Sequence, residues 1–180
     1  MKLEKGLELS HELLDMDKGL LDKHFKKFKV CGSIRRKKPE VHDIDIVGIL
    51  KPESSYQFGD ETIDATIERI HDKSKEKPVL GSKVKRFYYK GEKIDIYVAD
   101  EKTFECLVLI RTGSAEHNIR LTTIAKQRGQ KLYANGNGLC KIKGGLYNNE
   151  PEEIIEVVES TEDGILQNLL GRVPTPEKRD

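Results

Sequence analysis

The sequence predicts a mixed α+β (α/β) protein, with a small sheet and helices in its first half and helices with a short β-hairpin in its second. Three observations carry this. Two segments alternate charged and aliphatic residues, Asp43-Ile44-Asp45-Ile46 within 43–50 and Lys93-Ile94-Asp95-Ile96-Tyr97-Val98, and a period of two marks a half-buried strand. Aliphatic residues at helical spacing precede and separate those segments. Near residue 100 the character shifts to helix, which divides the chain into lobes at 1–100 and 101–180.

Residues 3–28 read as a helix, because Leu3, Leu7, Leu13, Leu14, Leu20, Leu21, Phe25 and Phe28 recur at a rough 3.6 period. Residues 28–31 form a strand that runs into Gly32-Ser33. Gly32 permits close backbone approach, and Ser33 suits the N-cap of a short helical turn carrying Arg35 and Arg36. Residues 37–42 are a basic loop, and 43–50 are the second strand. After a loop at 51–59, a helix is expected at 62–70, with Ile63, Ile67 and Ile70 on one face. A strand at 79–89, broken at Gly81, turns at Lys90-Gly91 into the strand at 93–98. Helices follow at 103–111 and 115–128, separated by Thr112-Gly113-Ser114, and Gly129 offers a left-handed cap. Short strands are expected at 131–133, 138–141 and 145–147. Residues 150–159 read as a helix with acids in its first turn, 161–170 as a last helix, and 172–180 as an extended tail.

With 180 residues, 35% of them charged, and a net charge of +1, the chain has no global pull toward nucleic acid. Its mean hydropathy is −0.60. The charge is unevenly spread. Residues 73–93 hold eight Lys/Arg against two acids, 111–143 hold seven against one, and 150–163 hold seven acids and no base. Such blocks could put positive potential on one surface. Cys31, Cys106 and Cys140 are odd in number and far apart. They argue against a disulfide framework or zinc knuckle and for a reducing compartment. No apolar stretch approaches a membrane span and no signal peptide opens the chain, so a cytoplasmic location is expected, or the host cytosol or nucleus for a viral protein.

The chemistry concentrates in 30–50. On a strand, Asp43 and Asp45 share a face about 6.5 Å apart. They repel by about 2–3 kcal/mol at an effective dielectric near 20. A hard divalent cation with oxygen ligands relieves that repulsion. Gly32-Ser33 opens a helical turn whose N–H groups favour a phosphate, with Arg36 in reach. If the strand at 93–98 pairs beside the strand at 43–50, Asp95 joins the two acids, and the trio can hold two magnesium ions.

These residues, in this order, resemble the nucleotidyltransferase superfamily with the polymerase-beta-like fold. The second half narrows the likeness. Arg111-Thr112-Gly113-Ser114-Ala115-Glu116-His117-Asn118-Ile119-Arg120, then Ala125-Lys126-Gln127-Arg128-Gly129 and Lys131-Leu132, are similar to the thumb of family X DNA polymerases. So is the tail from Ser160-Thr161-Glu162-Asp163 through Leu170-Gly171 to Pro174 and Pro176. The resemblance implies a palm with a small mixed sheet flanked by helices at 1–100, and a helical thumb with a short hairpin at 101–180. It implies a template-directed DNA polymerase that adds dNMP to a primer 3′-hydroxyl by two-metal-ion phosphoryl transfer, in short-gap repair. Asp43 and Asp45 would ligate both Mg²⁺ ions, with Mn²⁺ as an alternative, and Asp95 would ligate the catalytic one. Gly32, Ser33 and Arg36 would grip the triphosphate. Thr112, Gly113 and Ser114 would lie under the sugar, and Asn118 would reach the base. Arg35, Lys37, Lys38, Lys83, Lys85, Arg86 and Arg120 are the expected DNA contacts. The partners implied are primed or gapped DNA and a dNTP, bound by a monomer without a membrane.

Several positions depart from the family pattern. Ile110-Arg111 stands where an aromatic pair is usual, Thr122 where an arginine faces the template, and Tyr133-Ala134-Asn135 where Asn-Glu-Tyr is common. Loose or unusual template selection is therefore expected. The roughly 25 residues before the palm leave no room for helix-hairpin-helix modules, so lyase activity is not expected. Two other readings share this palm: a minimal nucleotidyltransferase acting on RNA, protein or a small molecule, and a non-catalytic nucleic-acid-binding protein.

Overall fold

The computed structural model describes residues 1–15, 19–52, 61–133, 135–145 and 151–179. The chain forms two compact units, Met1–Asp100 and Glu101–Asp180.

The first unit is a five-stranded mixed sheet with helices. Its elements are α1 (Leu3–Leu14), β1 (Phe25–Val30), the short turn α2 (Gly32–Arg35), β2 (Asp43–Leu50), α3 (Ile63–Ile70), β3 (Val79–Leu80), β4 (Val84–Tyr89) and β5 (Glu92–Ala99). The strand order is β1-β2-β5-β4-β3, and only the central β2–β5 pair is parallel. Alternation in β2 and β5 sends Ile44, Ile46, Ile94 and Ile96 to one face, where all four are fully buried. Leu9 and Leu13 of α1, Ile63 and Ile67 of α3 and Phe87 of β4 join them in one core. Each such side chain contributes about 1.5–3 kcal/mol by burial. Thr62 caps α3 by accepting the Ala65 N–H at 3.2 Å. The helix expected over 3–28 is shorter than its aliphatic pattern suggests. α1 ends at Leu14, and Phe25–Val30 is a strand whose Phe28 and Val30 pack on the core. Phe25, Phe28 and Val30 favour the extended form, and pairing with β2 overrides a weak helical period.

The second unit contains α4 (Phe104–Thr112), α5 (Ala115–Gln127), β6 (Gln130–Tyr133), β7 (Gly138–Lys143), β8 (Glu153–Glu159) and α6 (Glu162–Leu170). The three strands form an antiparallel sheet in the order β6-β7-β8. Leu109, Leu121, Leu132, Leu139, Ile165 and Leu166 meet in its core. Gly129 has φ +67°, the left-handed value that suits a glycine after α5. The largest departure from the sequence reading is at 150–159, expected to be a helix. Glu153–Glu159 is a strand paired with β7. The acids recur every third residue and mimic a helical period, but Ile154, Ile155, Val157 and Val158 are β-branched and favour the extended form. The strand expected at 145–147 and the loop at 51–59 fall largely outside the described residues. Among the described residues, no helix is long and apolar enough to cross a membrane.

Candidate metal and nucleotide site

The turn between β4 and β5 sets the site's geometry. Lys90 and Gly91 both have positive φ, 49° and 81°, as a tight two-residue hairpin turn requires. Tyr89 therefore pairs with Glu92, and counting back along both strands puts Arg86 opposite Asp95. On its other side β5 runs parallel to β2, with Asp45 opposite Asp95 and Asp43 opposite Lys93. Directly opposed residues share a face, so Asp43, Asp45, Arg86, Lys93, Asp95 and Tyr97 all project from the face away from the isoleucine core.

The carboxylate oxygens of Asp43, Asp45 and Asp95 can lie within 4.8 Å of one another. Asp95 is only 2% exposed, and Asp43 and Asp45 are half-buried. Arg86 holds Asp95 with a two-pronged grip: Nε donates to Oδ1 at 2.6 Å and Nη2 to Oδ2 at 2.8 Å. The hydrogen bond and then the charge of Asp95 make the Arg86 guanidinium still harder to deprotonate than usual. The Tyr97 hydroxyl donates to Asp95 Oδ2 at 3.5 Å. Lys93 Nζ bridges the strands, 3.6 Å from Asp43 Oδ2 and 3.5 Å from Asp95 Oδ2. Two bases thus offset three acids. An all-oxygen donor set of this spacing fits a hard divalent ion such as Mg²⁺ or Mn²⁺.

Cys31 N–H donates to the Asp45 carbonyl at 2.8 Å, docking the corner after β1 onto β2. Gly32 has φ +59°, and a Cβ there would collide with the Asp45 carboxylate. This glycine is thus required by the acid beside it. Ser33 is not the N-cap; Cys31 occupies that position, and Ser33 lies within α2. Its Oγ is buried without a hydrogen-bond partner among the described residues. Arg36 closes the turn, its N–H donating to the Gly32 carbonyl at 3.2 Å.

The expected DNA contacts fare differently. Lys37 and Lys83 are exposed, and Arg35 and Lys38 are half-buried. Lys85 is buried, and Nζ donates to Asp64 Oδ1 at 2.6 Å and to the Gly81 carbonyl at 3.2 Å. It braces the loop after β3 and does not present its charge to an external phosphate. Arg86 stands on Asp95. The sequence carried a signal for this, since a two-residue turn at Lys90-Gly91 fixes the opposing pair by counting.

In the second unit, Thr112 ends α4 fully buried, Gly113 follows, and Ser114 caps α5 by accepting the His117 N–H at 3.0 Å. Asn118 Nδ2 donates to the Ile110 carbonyl at 2.8 Å, while its Oδ1 is buried without a partner among the described residues. A Cβ on Gly113 would sit 2.9 Å from that Oδ1. Arg120 is exposed on α5. The sequence reading missed Arg179, which is 2% exposed. Its Nη1 donates to Glu162 Oε1 at 2.6 Å and its Nε to the Pro174 carbonyl at 3.1 Å. Its own carbonyl accepts the Ser114 N–H at 3.2 Å, tying the tail to the turn before α5. An arginine in an extended, charged tail gives no sequence signal of burial.

The chain has a polymerase-beta-like fold. Two solved structures of Leishmania infantum polymerase beta share it. The ternary P/T complex matches with a TM-score of 0.70 and 21% identity, over 100% of this chain and 76% of that one. The ternary gap complex matches with a TM-score of 0.69 and 20% identity, over 100% of this chain and 70% of that one. No protein-family profile and no curated protein matches the sequence.

Proposed function

We propose that the chain is a template-directed DNA polymerase of the family X kind, adding dNMP to a primer 3′-hydroxyl in short-gap repair, with the first unit as palm and the second as thumb. One observation carries the reading: Asp43, Asp45 and Asp95 converge from the parallel strands β2 and β5, beside the Gly32-Ser33 corner. The polymerase beta neighbours, ternary P/T and gap complexes, support DNA as the partner.

On this reading Asp43, Asp45 and Asp95 hold two Mg²⁺ ions, or Mn²⁺ in their place. When bound, these ions supply charge neutralisation at the attacking and leaving oxygens. Arg86 gives up at least part of its grip on Asp95, whose freed carboxylate oxygen can then accept the primer hydroxyl proton. Ser33 Oγ, the Gly32 backbone and Arg36 orient the triphosphate. Thr112, Gly113 and Ser114 take the sugar, and Asn118 reaches the base. Arg35, Lys37, Lys38, Lys83 and Arg120 contact DNA phosphates, so binding weakens steeply with salt.

The test is primer extension across a one-nucleotide gap with Mg²⁺, beside Asp43→Ala and Asp95→Ala. The expected outcome is template-matched addition by the natural chain and a loss of about 10³-fold or more in either variant, with thermal melting preserved. Untemplated addition to RNA, or label transferred to protein or a small molecule, would move the assignment to a minimal nucleotidyltransferase. Nucleic-acid binding without any transfer would remove the enzymatic reading.

A further inference from the structure

β8 uses one of its two edges. It is the outer strand of its sheet and pairs only with β7 among the described strands. Ile154, Ile155 and Val157 are 43%, 54% and 56% exposed. Two register shifts in the pairing with β7 set Ile154 and Val157 on one face, opposite Ile142 and Cys140, and Glu153 and Glu156 on the other, opposite Lys143 and Lys141. The strand contains neither Pro nor Lys, the residues with which exposed edges are commonly blunted. Its unpaired backbone groups and aliphatic side chains are therefore open to a further strand.

The occupied edge shows what sequence suits this strand. Lys141 stands opposite Glu156, Ile142 opposite Ile154, and Lys143 opposite Glu153. The free edge offers the same glutamates to an added chain. Glu153 and Glu156 are exposed and form no ion pair among the described residues. Glu159, by contrast, is taken up by the N–H groups of Ser160 and Thr161. A second β8 is a poor complement, since antiparallel self-pairing about Glu156 sets Glu156 against itself and Glu153 against Glu159 at both ends.

We infer that the outer edge of β8 is a docking site for an extended segment of a partner protein in which Lys or Arg alternates with β-branched aliphatic residues. The segment adds as a fourth strand: main-chain hydrogen bonds supply affinity, and the acid–aliphatic pattern selects the sequence.

The test titrates the isotopically labelled full chain with a blocked peptide of about nine residues alternating Lys and Val, beside Glu–Val and Lys–Ser peptides of equal length. The expected result is saturable binding of the Lys–Val peptide, with amide shift changes confined to β8 and its immediate neighbours. E153K/E156K should weaken it at least about tenfold and transfer the preference to the Glu–Val peptide. Val157→Ser keeps every charge and should also weaken binding. Equal binding of the Lys–Ser peptide would reveal charge attraction alone and overturn the proposal. So would shifts centred elsewhere, no binding at all, or a concentration-dependent dimer that protects the β8 amides without peptide.

Discussion

β2 and β8 are made of similar residues, acids set among Ile and Val, and they end in opposite environments. β2, Asp43–Leu50, is a central strand held between β1 and β5. Its two leading acids are two residues apart and share one face, while Ile44 and Ile46 are buried on the other. β8, Glu153–Glu159, is an edge strand whose acids fall every third residue, and two register shifts against β7 bring them to one face, opposite Lys143, Lys141 and Leu139. In β2 the spacing sets Asp45 against the acid Asp95 of β5; in β8 it sets Glu153 and Glu156 against lysines of β7 along an open edge. The strands also share a device. Gly32 leaves room for the Asp45 carboxylate, and Gly164 leaves room for that of Glu159. The first carboxylate is anchored in a packed sheet; the second is a flexible end near the surface.

That difference fixes the cost of adding a methyl group. Gly32→Ala meets a carboxylate on a central strand and imposes φ +59° on an L-residue. It should destabilise the first unit by about 2–3 kcal/mol in urea unfolding. In an Asp45→Ala background the collision is gone and about 1–2 kcal/mol of left-handed strain should remain. The two substitutions should therefore be coupled. Gly164→Ala gains about 1 kcal/mol of helix propensity and loses Glu159 hydrogen bonds of similar worth, so its net effect should be close to zero. Equal costs at both glycines would break the comparison.

Much of β2 could be read from the residues, because strict alternation, Gly32 and the Lys90-Gly91 turn are all local signals. The pairing of Asp45 with Asp95 follows once the two alternating segments are placed side by side. What could not be read was decided by distant partners. β8 is extended because β7 offers a ladder, against an acid spacing that mimics a helix. Lys85 is buried because Asp64 and the Gly81 carbonyl receive its ammonium group. Arg179 is buried because Glu162 lies beneath it. In each case a residue normally found in water is held by a contact the neighbouring sequence does not encode.

Cross-strand bases offer a finer probe. In the first sheet Arg86 stands opposite Asp95 and grips it. In the second, Lys141 and Lys143 stand opposite Glu156 and Glu153 with no ion pair among the described residues. A divalent ion must compete with Arg86 for Asp95. Arg86→Gln should therefore tighten Mn²⁺ binding, read by electron paramagnetic resonance without nucleotide, by about tenfold, or roughly 1.4 kcal/mol. Lys143→Gln should leave Mn²⁺ binding unchanged. Weaker binding in Arg86→Gln would mean that the arginine organises the trio more than it blocks it.

The smallest expected effect lies at the end of β8. The Thr161 N–H donates to Glu159 Oε1 at 2.9 Å, the Thr161 hydroxyl at 2.9 Å, and the Ser160 N–H at 2.8 Å. The Thr161 bonds, chiefly, hold this carboxyl below its ordinary value of 4.5, with Ser160 adding a smaller share. A depressed carboxyl pKa means that the unfolded chain binds the proton first as pH falls. The stabilisation is therefore fully present above about pH 4.5 and is lost as pH drops through the lowered folded value. Melting of the second unit, followed from pH 6 to pH 3, should show a shallow acid limb, and Glu159→Gln should flatten it. Thr161 also caps α6 by accepting the Gly164 N–H at 3.1 Å, so the acid limb should appear in the α6 amides together with those of β8. An acid limb confined to β8 would mean that Glu159 steadies the strand alone, and that the junction between strand and helix draws its order from the Thr161 cap.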